Sequence, residues 1–200
     1  PMTPDLTDHA GRTQLAALYR ATLLEDVIPF WLEHGLDHEH GGLLTALDRD
    51  GSVIDTDKSV WFQGRAGWMF ATLFNTIERR AEWLAVSRSC VEFSRRHCFA
   101  PDGKMYFTVT REGRPLRMRR YVFSESFAAI SFAAFAKAAD EARAADEAVK
   151  AFAAYLRHSF TPGVMAPKSE PTRPAKAIGP LMIAIGAAQE LRANLGDVEI

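Results

Sequence analysis

Apolar residues recur along this chain at the three- and four-residue spacing of amphipathic helices, and short turn-rich segments separate the helical stretches. Glycine, proline or aspartate marks most of the gaps. We predict helices over 13–34, 60–78, 81–97, 124–139, 144–160 and 178–195. Pro29 lies inside the first of these helices, and we expect it to kink that helix or to end it a turn early.

Two of the gaps alternate apolar and polar residues around a glycine turn, which is the pattern of a short β-hairpin. The first hairpin is predicted over 43–55, with its turn at 48–51, and the second over 105–119, with its turn at 111–114. The gap over 161–176 holds four prolines, so we predict an irregular loop there. Asp57 or Ser59 is expected to cap the helix that follows the first hairpin.

The order of these elements is a repeat. When the sequence is aligned with itself at an offset of 62 residues, Gly41 aligns with Gly103 and Gly51 with Gly113. The two predicted hairpins align with each other at the same offset. A third copy begins at Thr161, with its hairpin reduced to the proline-rich loop. Each copy consists of an outer helix, a hairpin or loop, and an inner helix.

Three such copies in sequence predict an all-α fold, an α/α toroid of three helical hairpins with short β-hairpins. The whole chain, 1–200, is predicted to be a single domain. A closed ring of six helix pairs would need about twice this length, so the expected architecture is half of a ring or an open arc. The bare helix face of such an arc would need a partner.

Composition and charge exclude few functions. The chain has 200 residues, is 48% hydrophobic and 24% charged, and carries a formal net charge of −1, so nothing draws it as a whole to nucleic acid or to an acidic membrane surface. The N-terminal segment is polar and no apolar run could span a bilayer, so we expect a soluble, cytoplasmic protein. Cys90 and Cys98 are too far apart along one helix to form a disulfide, which favours packing thiols in a reducing compartment.

The segment that opens the second helix, from Lys58 to Met69, mixes large aromatic residues with an amide and a guanidinium. Trp61 and Arg65 fall one turn apart on the same helix face. The arginine could donate two hydrogen bonds to a polyhydroxy ligand while the indole offers a flat apolar surface. The alternative is an ordinary aromatic core in which the arginine is paired to a carboxylate.

The first turns of the other two inner helices supply further candidates, because inner helices line the hole of a toroid. These candidates are Tyr121, Ser124 and Glu125 from the second copy, and Lys176 and Met182 from the third. Tyr121 could equally be a core tyrosine. Glu125 could be an N-terminal helix carboxylate that the macrodipole favours.

Two other clusters are weaker signals. His34, His38 and His40 lie close together, but their spacing matches no helix-borne zinc motif, and we predict neither a metal nor a cofactor. Five arginines between 111 and 120 form a basic patch. On a nearly neutral protein without a recognition motif, a solvated hairpin that partly faces the cavity is favoured over a nucleic-acid site.

These motifs resemble the N-acylglucosamine 2-epimerases, a family that also takes in the cellobiose epimerases and the aldose–ketose isomerases acting on mannose. The most specific motif is Lys58-x-x-Trp61-x-Gln63-Gly-Arg65-x-x-Trp68. Supporting segments lie at 37–42, 121–127 and 180–191. The resemblance implies an (α/α)6 barrel whose N-terminal half would correspond to this chain, in agreement with the half-ring inferred from the repeat.

The resemblance also implies a chemistry. In that family the open-chain sugar loses the proton at C2 to a base, and the enediolate is reprotonated on the other face by an epimerase or at C1 by an isomerase. Arg65 would bind the sugar and stabilise the enediolate oxygen, which makes it the predicted catalytic residue. The predicted sugar-binding residues are Trp61, Arg65, Tyr121, Glu125, Lys176 and Met182.

The histidines depart from the family pattern. The histidine pair of such enzymes comes from inner helices in the second half of the barrel, and none of the six histidines here lies on the first turn of a predicted inner helix. The expected function is therefore the sugar-binding half of a sugar 2-epimerase or aldose–ketose isomerase. Its expected partners are a small-molecule sugar and either a second copy of the chain or the missing half of the barrel.

Two alternatives belong to other classes. One is a catalytically inactive helical-repeat module that binds carbohydrate or a protein through its open arc. The other is a glycoside hydrolase or lyase on the same toroid, which would need two carboxylic acids across the ring. Glu125 is the one inner-helix candidate for such an acid, so hydrolysis ranks last.

Overall fold

A computed structural model describes residues 7–118, 121–166, 169–170, 172–175 and 177–199, and most of them are helical. The helices are α1 (His9–Ala21), α2 (Ile28–Phe30), α3 (Val60–Thr76), α4 (Ala81–His97), α5 (Phe123–Ala139), α6 (Ala142–Phe160) and α7 (Gly179–Leu195). Each predicted helix is confirmed to within a few residues at its ends. None of the described helices is both long enough and apolar enough to cross a membrane.

The first helix does not end early at Pro29. Two π-helical turns, Thr22–Val27 and Trp31–Gly35, lie on either side of α2, and the helical backbone continues to Gly35. Proline lacks an N–H group and its ring displaces the carbonyl four residues earlier, so a wider turn accommodates it. Of the two expected effects of Pro29, a kink or an early end, the early end does not occur.

The strands form two small antiparallel sheets. They are β1 (Ala46–Leu47), β2 (Val53–Asp55), β3 (Lys58–Ser59), β4 (Thr108–Val109) and β5 (Pro115–Arg117). The pairs β1–β2 and β4–β5 are the two predicted hairpins. In addition β3 pairs with β4, which ties the second hairpin to the residues directly before α3.

Matching hydrogen bonds confirm the repeat of 62 residues. In the first hairpin turn, the N–H of Gly51 donates to the carbonyl of Asp48 over 3.0 Å. In the second, the N–H of Gly113 donates to the carbonyl of Thr110 over 2.9 Å. Both glycines have φ near +90°, 86° and 96°, a left-handed conformation that side chains with a Cβ rarely adopt.

The helices form an inner layer of α3, α5 and α7 and an outer layer that includes α4 and α6. Helix α5 is central, because it packs against α3, α4, α6 and α7. Its close approach to α3 depends on small residues: a Cβ built on Gly64 would lie 2.8 Å from the carbonyl carbon of Phe127. Buried alanines and phenylalanines of α5 form much of the main core.

Both flanks of this arrangement expose apolar side chains. On α7, Leu181, Met182 and Ile185 are 54%, 62% and 62% exposed. On α1, Leu18 and Tyr19 are 55% and 66% exposed. Amphipathic helices normally cover such faces by packing, so the pattern is that of an incomplete ring.

Candidate functional site

Trp61 lies where the second hairpin, α3 and α5 meet. Strand β3 turns into α3 at Val60, so the indole enters from the first helical turn. Its ring meets Phe107 edge-on at 5.1 Å between centroids and Phe127 at a tilt, at 5.5 Å. Its Nε1 donates to Oγ of Ser124 over 3.0 Å. The half-buried indole therefore has its polar edge satisfied and keeps part of its apolar surface accessible.

Arg65 follows one turn later and is exposed. Its guanidinium carbon lies 4.6 Å from the centroid of the Phe127 ring, a cation–π contact that restricts its orientation. Among the described residues no carboxylate lies within ion-pair distance of it, so the alternative of an arginine paired in the core is wrong. None of the five N–H donors of the guanidinium has a hydrogen-bond acceptor among the described residues, so they are available to a ligand.

A cavity of about 160 Å³ opens beside Arg65. Its other walls are mostly apolar and come from Trp31 of the first helix and from Phe62 and Met69 of α3. One guanidinium on the rim of an apolar cavity suits a small ligand with apolar faces and hydroxyl groups.

Tyr121 lies two residues before α5, half-buried, with its ring stacked on Phe123 at 6.0 Å. Phe123 in turn contacts Trp61, also at 6.0 Å. The structure thus groups Trp61, Arg65 and Tyr121 around one set of aromatic rings. Met182 lies on the exposed apolar face of α7. Lys176 lies outside the described residues, and its predicted role stays a prediction.

Glu125 is 1% exposed, and its carboxylate is directed at the protein backbone. Its Oε1 accepts a hydrogen bond from the N–H of Met105 over 2.7 Å. Burial raises the pKa of Glu125 above its ordinary value, although the N–H of Met105 acts in the opposite direction. This position offers no support for the predicted contact between Glu125 and a sugar, because the side chain does not reach the accessible surface.

Sequence reasoning missed a buried ionic cluster formed by Asp37, Lys58 and Arg111. The side chain of Lys58 is fully buried, and its ammonium donates to Oδ2 of Asp37 over 2.8 Å, to the carbonyl of Gly41 over 2.7 Å and to the carbonyl of Arg111 over 2.9 Å. The three donors of the ammonium therefore all have acceptors. The ring of Phe93 lies below it, with its centroid 4.3 Å from Nζ.

Asp37 is the carboxylate that both cations of this cluster bind. The guanidinium of Arg111 donates to both carboxylate oxygens over 3.0 Å, and the N–H groups of Glu39 and His40 donate to Oδ1. Burial alone would raise the pKa of Asp37, but the hydrogen bonds from Arg111 and Lys58 outweigh it, so the pKa lies well below its ordinary range. The cluster joins the loop before the first hairpin to the turn of the second.

The specific motif of the sequence contained Lys58, and the supporting segment 37–42 contained Asp37. Nothing in the sequence indicated that the two meet, since they are 21 residues apart and Arg111 is 74 residues from Asp37. The signal that could have found them is a lysine in the residues directly before an inner helix. If such a lysine is buried, it requires a carboxylate partner.

The histidines lie on the outer layer and the loops, and none of the described ones is on α3, α5 or α7. The ring of His34 packs on Phe30 at 5.0 Å, and His40 lies 3.5 Å from a carboxylate oxygen of Glu39. The described residues contain no group of three or more histidine, cysteine, aspartate or glutamate side chains that could hold a metal ion.

The predicted basic patch is divided among separate contacts. Arg111 binds Asp37, Arg114 lies 3.5 Å from a carboxylate oxygen of Glu112, and the guanidinium of Arg117 lies 5.5 Å from the centroid of the Phe107 ring. Residues 119–120 lie outside the described part of the chain. The three described arginines therefore serve the hairpin and its aromatic surroundings.

Comparison with known proteins identifies a matching family model, related sequences and a solved structure of similar fold. The family model for N-acylglucosamine 2-epimerase (GlcNAc 2-epimerase) matches residues 41–188. The N-acylglucosamine 2-epimerase of Mus musculus is 44% identical over 131 residues, which are 64% of this chain and 31% of that enzyme. The corresponding enzyme of Homo sapiens is 42% identical over 131 residues, again 64% of this chain and 31% of the enzyme.

A solved structure has the same fold at low identity. The cellobiose 2-epimerase of Spirochaeta thermophila superposes with a TM-score of 0.80 at 20% identity, covering 96% of this chain and 52% of that one. The chain therefore spans about half the length of this solved (α/α)-barrel structure, and its arrangement is that of half a barrel.

Proposed function

Because the chain belongs to the N-acylglucosamine 2-epimerase family, we propose that it forms the sugar-binding half of a 2-epimerase or aldose–ketose isomerase site. The observation that carries the proposal is the exposed guanidinium of Arg65, held on Phe127 beside Trp61 without a carboxylate partner among the described residues. A cation presented in this way at an apolar cavity is available to a ligand oxygen.

Removal of a proton next to a carbonyl places negative charge on the carbonyl oxygen. A guanidinium that already faces this oxygen stabilises the enediolate without reorganising, which lowers the barrier. The contact with Phe127 limits the freedom of Arg65, so less entropy is lost when it binds. Trp61 and Tyr121 do not line the cavity beside Arg65. In this proposal the sugar would bind where Arg65 lies over Phe127, and the indole of Trp61 and the ring of Tyr121 would cover its apolar faces.

The acid and base are assigned to the other half of the barrel. Since no described histidine lies on an inner helix, this half would bind and polarise the sugar while side chains outside it move the proton. In this proposal residues 1–200 are one domain, and either the remaining half of an (α/α)6 barrel or a second copy closes the ring. A cytoplasmic location is part of the same proposal.

The test is binding of N-acetylmannosamine, then mannose, measured by saturation-transfer NMR, with exchange of the C2 proton followed in D2O. We expect binding without exchange. Arg65→Ala should weaken binding about 10- to 100-fold, because a hydrogen bond to a charged group contributes roughly 1.5–3 kcal/mol. Loss of the C2 proton signal would instead place an acid–base pair within this chain.

Arg79→Ala is the matched control. Arg79 is also exposed and also lies over an aromatic ring, with its guanidinium carbon 5.6 Å from the centroid of Phe74, but it follows the far end of α3. Sugar affinity should be unchanged in this variant. Equal affinities for the Arg65→Ala variant and the wild type would refute the assignment of Arg65.

The second candidate is a catalytically inactive helical-repeat module that binds carbohydrate or a protein partner. The exposed apolar face of α7 is the observation that favours it. The two candidates are separated by reconstituting the full barrel: C2 exchange that depends on Arg65 supports the enzyme. A complete barrel that binds sugar without exchange supports the inactive module.

A further inference from the structure

The repeat places Gln63 and Glu125 at equivalent positions, 62 residues apart, in the first turns of α3 and α5. Gln63 makes two hydrogen bonds to the backbone of Leu43. Its Oε1 accepts from the N–H over 2.9 Å, and its Nε2 donates to the carbonyl over 2.7 Å. Glu125 faces Met105, which is the residue equivalent to Leu43 and is likewise 20 positions earlier.

If Glu125 is an ionised carboxylate, it can reproduce only one of the two hydrogen bonds that Gln63 makes to Leu43. Oε1 accepts from the N–H of Met105 over 2.7 Å, as in the first copy. Oε2 is buried and has no hydrogen-bond partner among the described residues. A carboxylate oxygen left without a donor in the protein interior is costly, so its protonation state needs an explanation.

Within the described ranges, the backbone carbonyl of Met105 lacks a hydrogen-bond donor, whereas Oε2 of Glu125 lacks a hydrogen-bond partner. Met105 is 4% exposed and forms an isolated antiparallel bridge with Phe99. The flanking bonds of that bridge run from the N–H of Ala100 to the carbonyl of Lys104 and from the N–H of Tyr106 to the carbonyl of Cys98. The N–H and carbonyl of Met105 itself therefore point away from the bridge. No donor to this carbonyl is found in the described part of the chain, although buried carbonyls are nearly always paired.

We propose that Glu125 is protonated in the folded protein and donates its carboxyl O–H to the carbonyl of Met105, as the amide of Gln63 donates to Leu43. One proton on Oε2 then satisfies both groups. Glu125 is in this way a positioning residue: it fixes the segment from Met105 to Phe107, whose last ring packs against Trp61. The neighbouring Ser124 holds the same segment, since its Oγ donates to the carbonyl of Tyr106 over 3.0 Å.

The charges around Glu125 come from several elements. Lys104 in the loop before β4, and His158 of α6 when it carries a proton, favour the ionised carboxylate. They act together with the backbone N–H groups of Met105 and of Glu125 itself, but burial outweighs all of these and raises the pKa of Glu125.

The remaining elements packed on α5 present charged groups whose contacts lie away from Glu125. On α3, Arg65 lies over Phe127. On α4, the guanidinium of Arg95 binds three carboxylates, those of Glu92, Glu141 and Glu147. On α7, Glu190 accepts from Nε1 of Trp68 over 2.7 Å. These groups are engaged elsewhere and leave burial as the dominant influence on Glu125.

The pH dependence follows from the direction of the shift. A carboxyl group whose pKa is higher in the folded than in the unfolded protein contributes stability that is fully present below the unfolded pKa. That stability is lost as the pH rises through the folded pKa. The hydrogen bonding between Glu125 and Met105 should therefore weaken as the pH rises. The two hydrogen bonds between Gln63 and Leu43 should not depend on pH in this way.

The test is a matched pair of variants, Glu125→Gln and Gln63→Glu, unfolded with urea between about pH 5 and pH 8. Over the titration range, the unfolding free energy of the wild type should fall as the pH rises. Its slope against pH should correspond to about one more proton bound in the folded than in the unfolded protein. Glu125→Gln should remove this slope and raise the unfolding free energy at the alkaline end of the range. Gln63→Glu should add a second slope of the same sign.

A direct titration keeps the proposal falsifiable if a variant does not fold. The side-chain carboxyl carbons of the wild-type glutamates are followed by ¹³C NMR. One signal should titrate above the range of the exposed glutamates, and it should be absent from the spectrum of a folded Glu125→Gln protein. If all glutamates titrate in the ordinary range, or if Glu125→Gln retains the wild-type slope, Glu125 is ionised and the proposal is wrong. Neither result depends on sugar binding.

Discussion

The three charged side chains of Asp37, Lys58 and Arg111 show how much a single buried ion pair depends on its surroundings. A charge transferred from water to the protein interior loses several kcal/mol of solvation, and the pair is tolerated only when further hydrogen bonds compensate. Here three acceptors surround the ammonium, and two cations and two backbone N–H groups surround the carboxylate. Removal of either charge leaves the other buried without full compensation.

Asp37→Asn should lower the unfolding free energy by about 3–5 kcal/mol at neutral pH, because Lys58 remains buried without its counter-ion. The folded pKa of Asp37 lies below the unfolded value. Its contribution is therefore present above the unfolded pKa and is lost as the pH falls through the folded pKa. Urea unfolding from neutral to acidic pH should show a smaller acid-induced loss in the variant than in the wild type.

The control for this experiment is Asp146→Asn. Asp146 is exposed on α6, and its replacement should change the unfolding free energy by less than about 0.5 kcal/mol. If Asp37→Asn were equally mild, the cluster would contribute little net stability, and its role would be limited to the geometry of the hairpins.

At the scale of elements, the packing of α3 on α5 brings the candidate site together. Trp61 and Arg65 project from one of these helices, while Phe127 projects from the other. The distance between the two helices is set by Gly64, whose Cα faces the backbone of Phe127. Helix propensity alone would favour alanine at this position, so the glycine is explained by packing rather than by local preference.

Gly64→Ala should therefore destabilise the protein by roughly 1–3 kcal/mol, since a Cβ 2.8 Å from a backbone carbonyl carbon forces the helices apart. The same separation should shift the NMR signals of the Trp61 indole. Gly186→Ala on α7 is the control, because a Cβ there would meet nothing within 4 Å. That change should stabilise the protein by about 1 kcal/mol through helix propensity. Calorimetry that gives both variants the same sign would contradict this account of Gly64.

At the scale of the whole molecule, the exposed apolar side chains lie on both flanks of the half-barrel. Helix α1 presents Leu18 and Tyr19, and α7 presents Leu181, Met182 and Ile185. A helix of a closed ring has a neighbour on either side, so each of these faces corresponds to a missing contact. The chain is expected to pair with a second copy, to bind the other half of the barrel, or to dissolve poorly.

Light scattering at high protein concentration tests this expectation, and a monodisperse monomer would count against it. The double variant Met182→Lys with Ile185→Lys should reduce self-association, since it places two charges in the apolar face of α7. Ile54→Lys is the control, because Ile54 is 69% exposed and lies on β2 of the first hairpin rather than on α1 or α7. It should leave the association state unchanged.

The local pattern of the sequence determined the elements and the site motif. Helices, hairpins and the repeat follow from the spacing of apolar residues and glycine turns over a few residues, and Trp61 and Arg65 share a face because they are four positions apart. Even here one local expectation was wrong, that Asp57 or Ser59 caps α3. Ser59 occupies the N-cap position, but no described side chain makes a capping hydrogen bond there. Strand β3 leads directly into α3, and it pairs with β4 of the second hairpin. The first N–H of the helix, that of Val60, therefore donates to the carbonyl of Phe107.

Only the tertiary structure decided which of these surfaces meet. It paired β3 with β4, assembled Asp37, Lys58 and Arg111, and directed Glu125 into the backbone of Met105 rather than into the cavity. The physical reason is that periodicity identifies the apolar face of a helix or strand, whereas the partner of that face depends on contacts between residues far apart in the chain. A buried charge acquires its role from those partners, and its sequence neighbours do not reveal them.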